Sequence, residues 1–217
     1  MTTTHGEPTP EPTPHSPQAG TKGVPRATRE RQVLEAATEE FGRRGYGATT
    51  VAAVAASVGV TKPLLHQYFG GKEDLYIACL EPVGERLVHA VRAAMSDDSP
   101  QSPPVHLRVL SALFDALEGQ REAWFVLYDT TLPQDSAAAR RAAHYRDAID
   151  ALAATGAADV LGPMSGDPLD ADALQYAWRG LCTALVRWWI AHPEQSAEDM
   201  TRRCSRLFAA APAFGAE

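Results

Sequence analysis

Residues 41–75 read FGRRGYGATTVAAVAASVGVTKPLLHQYFGGKEDL. Glycines at 45, 59 and 70–71 divide the stretch into short pieces, and glycine is the residue that most readily takes the left-handed backbone on which helices end. Between the first two breaks, Val51, Val54, Ala55 and Val58 fall on one helical stripe, preceded by the hydroxyl-bearing cap candidates Thr49 and Thr50. After Gly59, Thr61 offers a second cap, and Pro63 stands in a first turn, where its missing N–H costs nothing. Upstream, Val33, Leu34, Ala36, Ala37 and Phe41 recur with helical period while Glu35, Glu39, Glu40, Arg43 and Arg44 fill the other side. Downstream, a longer helix is predicted from Lys72 to Met95, with a candidate interruption at Pro82.

Two short helices joined by a glycine turn, behind a longer one, are the outline of a helix-turn-helix. The last helix of such a unit packs one face on its neighbours and offers the other to a DNA groove about 12 Å wide. Leu65 and Phe69, four residues apart, belong inside with Phe41, Val54 and Val58. That leaves Thr61, Lys62, Pro63, His66 and Gln67 outward, and lysine and glutamine carry groups suited to base edges. Thr50, at the start of the preceding helix, can meet a phosphate with hydroxyl and backbone N–H together.

At fixed spacing over about fifty residues, Phe41–Val51, Ala55-Ala56, Val58–Lys62 and Leu65–Leu75 resemble the DNA-binding domain of the tetracycline-repressor (TetR) family. The resemblance implies an all-α protein, with a three-helix DNA-binding head on a larger helical body that binds a ligand and dimerises. It implies base reading by Lys62, Pro63, His66 and Gln67, and phosphate contacts by Thr50, Tyr68 and Lys72. His66 stands where the family usually has tyrosine, and Val51, Ala52 and Ala53 replace polar residues often found early in the second helix. For His66 and Tyr68 the competing role is packing against the fourth helix.

The expected division is a disordered arm over 1–25, a helix-turn-helix domain over 26–75 and a helical regulatory domain over 76–217. The arm is Pro, Thr, Gly, Ser and His with almost nothing to bury. Lys22 and Arg26 close it within reach of a DNA backbone; the other reading is an inert solvated tail. The net charge of −7 is unevenly spread: residues 22–78 hold eight Lys/Arg against six Asp/Glu, and residues 79–217 hold twelve against nineteen. A slightly basic head on an acidic body grips phosphate only where its cations converge, so tight binding needs sequence contacts.

No apolar run approaches the length of about 18 residues that marks a membrane span, and the N-terminus lacks the order of a signal peptide. Cys79, Cys182 and Cys204 are far apart and odd in number, which fits a reducing cytoplasm better than a disulfide framework. His106, His144, Cys182, Cys204, Asp129 and Asp135 follow no catalytic or metal-binding spacing, so neither an enzyme nor a metal or cofactor site is expected.

In the body, helical patterns cover 105–118, 120–132, 135–155, 170–192 and 195–211. Leu174, Trp178, Leu181, Leu185 and Trp188 or Trp189 form one stripe of the fourth of these, and Ala177, Gly180, Ala184 and Ala191 form a small-residue stripe beside it. A helix with two apolar stripes is buried on two sides, as in a four-helix dimer interface built with 195–211; a monomer's central helix is the alternative. Trp124, Tyr128, His144, Tyr145, Trp178 and Cys182 are candidate ligand-binding residues, because polar-tipped aromatics among aliphatics line pockets. They are also ordinary core material. The expectation is a homodimeric repressor on a palindromic double-stranded DNA operator, released by a small-molecule effector. An activator, or a regulator answering to a protein partner, is the alternative.

Overall fold

The computed structural model describes residues 25–97, 99–161, 165 and 167–210; the expected arm, apart from Pro25, lies outside them. The first helix, α1 (Arg26–Ala48), turns its Val33, Ala37 and Phe41 inward and leaves its helical path at Gly45, where φ is 75°. Its solvent side carries Glu39–Arg43 and Glu40–Arg44 pairs at helical spacing. In α2 (Val51–Ser57), the Ala53 N–H donates to the Thr50 hydroxyl oxygen at 3.1 Å. In α3 (Lys62–Phe69), the Leu64 N–H donates to Thr61 at 3.4 Å, and Pro63 sits in the first turn. Each cap satisfies a backbone donor that the helix itself cannot.

From the head, α4 (Lys72–Met95) runs on into the body. Pro82 does not interrupt it, contrary to the sequence expectation. The pyrrolidine ring is on the exposed side, while Cys79, Leu80, Val83 and Leu87 are anchored in the core around it. Packing on both flanking turns outweighs the lost hydrogen bond.

The body adds α5 (Val105–Leu117), α6 (Ala123–Leu127), α7 (Ala137–Leu161), α8 (Pro168–Ile190) and α9 (Ala197–Ala210). α4 is flanked by α5 and α7; α1 lies against α4 and α6, α5 carries α9, and α7 carries α8. α6 is shorter than the 120–132 pattern suggests, because the chain leaves the helix after Leu127 and the Thr131 N–H donates to the Asp129 carboxylate instead of to a carbonyl a turn back. Arg121 ties the turn between α8 and α9: it donates to the carbonyl oxygens of Trp189 (2.9 Å) and Gln195 (2.6 Å), and its guanidinium lies 4.1 Å from the Trp189 ring centre.

α8 is rotated relative to the sequence expectation. Cys182, Val186 and Trp189 face inward, and Leu181 and Trp188 join Ala177, Gly180, Ala184 and Ala191 on the exposed side. Trp188 lies exposed beside the buried Trp189 because Trp189 fills the space under Phe114, with ring centres 5.4 Å apart.

Candidate DNA-recognition face and body cavity

On α3, Leu65 is buried, whereas Thr61, Lys62, Pro63, His66 and Gln67 are all exposed. The helix is thus pinned by one side and open on the other. Thr50, at the head of α2, is exposed as well. The His66 Nδ1 lies 2.5 Å from the Gly70 carbonyl oxygen. A carbonyl only accepts, so Nδ1 carries the proton, and in the neutral ring Nε2 is left as an acceptor. Tyr68 is half-buried with the Arg26 guanidinium 5.1 Å from its ring centre, against the start of α1. The Lys72 ammonium rests 4.3 Å from the centre of the Tyr46 ring. Partial burial lowers its pKa, and the Asp129 carboxylate nearby opposes that shift.

The body holds a cavity of about 260 Å³ between α4, α5, α7 and α8, with Trp124 of α6 and Phe208 of α9 also on its wall. Of the residues expected to bind a ligand, Trp124, Tyr128, Trp178 and Cys182 line it. His144 and Tyr145 do not. His144 is exposed on the solvent side of α7. Tyr145 is buried elsewhere, between α7 and α4, where its ring occupies the space a side chain at Gly84 would need; a β-carbon there would come within 2.4 Å of it. Aromatic residues on one helix are sorted by the phase of that helix, and here the phase sends Ile149 and Asp150 to the cavity instead. Burial pushes the Cys182 and Cys79 thiols up to about 12, so both are protonated apolar wall or core groups and poor nucleophiles.

The junction between head and body contains residues that sequence reasoning missed. The Tyr46 N–H, just past the end of the regular part of α1, donates to Asp129 at 2.6 Å. The Gly47 N–H donates to the Thr131 hydroxyl oxygen at 2.9 Å, and that hydroxyl donates in turn to Asp129 at 2.7 Å. The Tyr76 hydroxyl, inside the aromatic cluster of Phe41, Tyr46 and Tyr76, donates to the Val126 carbonyl oxygen at 2.5 Å. Asp129 follows Tyr128, which lines the cavity. The short segment after α6 therefore carries a cavity wall on one residue and the hold on the head on the next. An Asp two residues before a Thr signals a local turn; nothing local signals a partner 83 residues upstream.

A short hydroxyl-capped helix held by its inner face, behind a second hydroxyl-capped helix and a longer uncapped one, and joined to a helical body with a cavity, has the helix-turn-helix outline. Residues 33–79 match the family model described as bacterial regulatory proteins, tetR family. The HTH-type transcriptional activator FasR of Mycolicibacterium smegmatis is 34% identical over 117 residues, 52% of this chain and 53% of FasR. The HTH-type transcriptional regulator BetI of Brucella canis is 32% identical over 106 residues, 46% of this chain and 52% of BetI. The crystal structure of a TetR-like transcriptional regulator from Rhodococcus sp. RHA1 superimposes with a TM-score of 0.61 at 28% identity, over 88% of this chain and 98% of that one. Residues 33–79 thus match the DNA-binding domain of the tetR family, and the helical body has the fold of TetR-like regulators. It spans about half the length of the curated relatives it matches.

Proposed function

We propose that the protein is a cytoplasmic transcriptional regulator, not an enzyme, that binds a palindromic operator as a homodimer and changes its hold on DNA when a small molecule enters the body cavity. The observation that carries the reading is the open face of α3: Lys62, His66 and Gln67 are exposed together while Leu65 locks the helix into the head. In this reading, Lys62, Pro63, His66 and Gln67 meet base edges in the major groove, and Thr50, Thr61, Tyr68 and Lys72 meet phosphates. With its Nδ1 turned to the Gly70 carbonyl oxygen, His66 presents Nε2 toward the bases.

Two further features support the dimer and the effector. Among the described residues, Leu169, Tyr176, Leu181, Trp188 and Leu207 are the large apolar side chains left exposed, and all lie on α8 or α9. A second copy related by a two-fold axis would cover them. The cavity is lined by apolar and aromatic groups with a few polar ones, the composition of small-molecule sites. The domain division that goes with this places DNA binding in 26–75 and ligand binding and dimerisation in 76–217.

Selection of DNA from a random library with the purified protein tests the reading: an enriched inverted repeat is expected, whereas enrichment of a single half-site or of nothing would overturn it. Whether the bound regulator represses or activates is a separate matter. Repression is the primary reading; activation is the second, because FasR is described as an activator. A reporter placed behind the selected operator separates them by the sign of its response.

A further inference from the structure

The charge on the cavity wall is already settled internally. Its two ionic groups, Asp150 on α7 and Arg179 on α8, are paired with each other at 2.9 Å. The third titratable candidate, His106, packs at a tilt against Phe208 with ring centres 4.7 Å apart, and burial lowers its pKa, which favours the uncharged ring. Two neutral polar groups remain. Tyr128 and Gln175 both line the wall, and neither makes a side-chain hydrogen bond among the described residues. Everything else facing the space is aliphatic or aromatic, apart from the Cys182 thiol, with Trp124 and Trp178 as the largest groups.

Resting on the reading of this cavity as the effector site, we propose that its ligand is an uncharged, largely apolar molecule bearing one hydroxyl or carbonyl oxygen, which receives a hydrogen bond from Tyr128. A carboxylate or phosphate would have to draw Arg179 away and leave Asp150 unpaired in a half-buried position. A cation would have to draw Asp150 away and leave Arg179 in the same state. Separating this half-buried pair leaves a charge that is uncompensated and only partly solvated, and the ligand's own desolvation adds to that. An uncharged molecule disturbs neither partner. The volume of about 260 Å³ lies near the lower end of the roughly 300–1,000 Å³ of small-molecule pockets, so an eight-carbon chain with a single oxygen is a suitable probe.

Three probes of equal chain length separate the charge types: 1-octanol, octanoate and octyltrimethylammonium, each titrated at neutral pH into the full-length protein. Binding is followed by calorimetry and by the fluorescence of the tryptophans. The expected order puts 1-octanol at least about tenfold tighter than either ion. Tyr128→Phe should weaken 1-octanol several-fold while leaving the thermal melt in place. Asp150→Asn, by releasing Arg179, should tighten octanoate by about tenfold or more. If that variant does not fold, Arg179→Gln makes the converse test and should admit octyltrimethylammonium. Octanoate or octyltrimethylammonium binding the unmodified protein as tightly as 1-octanol overturns the proposal, as does failure of 1-octanol to bind up to its solubility. DNA binding measured on the same samples separates this from the regulatory reading. An ionic probe that binds tightly and shifts DNA affinity defeats the neutral-ligand proposal alone, whereas 1-octanol that binds without any effect on DNA defeats the effector reading alone.

Discussion

Lys62 and Gln67 project from the open side of α3 with no ion pair or side-chain hydrogen bond among the described residues, so substituting either leaves the head's packing intact. Lys62→Ala and Gln67→Ala should each relax preference at a defined half-site position by about 1–3 kcal/mol. Lys72 differs in kind. Its ammonium is at the N-terminus of α4, over Tyr46, and off the open side of α3, the position proposed for a phosphate contact. Lys72→Ala should therefore weaken all sequences alike and reduce the salt slope by about one ion. Binding to a panel of single-base operator variants at several salt concentrations checks both. A change of sequence preference from Lys72→Ala, with none from Lys62→Ala, would mean that α3 does not read the bases.

At the scale of elements, two contacts decide how parts move together. The first is the segment after α6, where Asp129 and Thr131 hold the N–H groups of Tyr46 and Gly47. Asp129→Ala leaves the Tyr46 donor without its partner, at a cost of about 1–3 kcal/mol in stability. It also cuts the hydrogen-bonded link between a cavity wall and the head. The expected result is a lowered melting temperature, an unchanged base preference, and a ligand effect on DNA affinity well below that of the unmodified protein. A full ligand effect in the folded variant would show that the coupling runs through α4 alone. The second contact is the exposed face of α8. Ala184 stands there beside Leu181 and Trp188. Ala184→Arg should place an unpaired charge in the proposed dimer interface and drive dissociation. Sedimentation finding the folded variant as dimeric as its parent would place the interface elsewhere.

For the whole molecule, the regulatory reading requires a coupling free energy between cavity and recognition face, typically 1–3 kcal/mol. The path is short. α4 passes from the head to the cavity wall at Val91 and Met95, and the α6 segment joins Tyr128 to α1 through Asp129. A ligand acts through these elements only if it binds the DNA-free arrangement more tightly than the DNA-bound one, or the reverse. Because the coupling is reciprocal, saturating operator must change ligand affinity by the same factor that ligand changes operator affinity. Titrating a cavity-binding molecule with and without operator measures it, and equal affinities in the two titrations would mean that the molecule is not an effector.

What the sequence by itself determined is the head. Its helices begin at Thr50 and Thr61 and break at Gly45 and Gly70, and their apolar stripes are set by residues three or four positions apart. Caps, breaks and stripes act over one or two turns, so they are written in consecutive residues. The tertiary structure alone decided which aromatics face the cavity. Trp124, Tyr128 and Trp178 do, His144 is left in solvent, and Tyr145 is taken up by the space over Gly84. Six helices contribute to that wall, and the face each one presents depends on the neighbours against which it is rotated. The same holds for Asp129, whose role exists only because the fold carries it to residues 83 positions away, a distance over which local patterning has no physical means of acting.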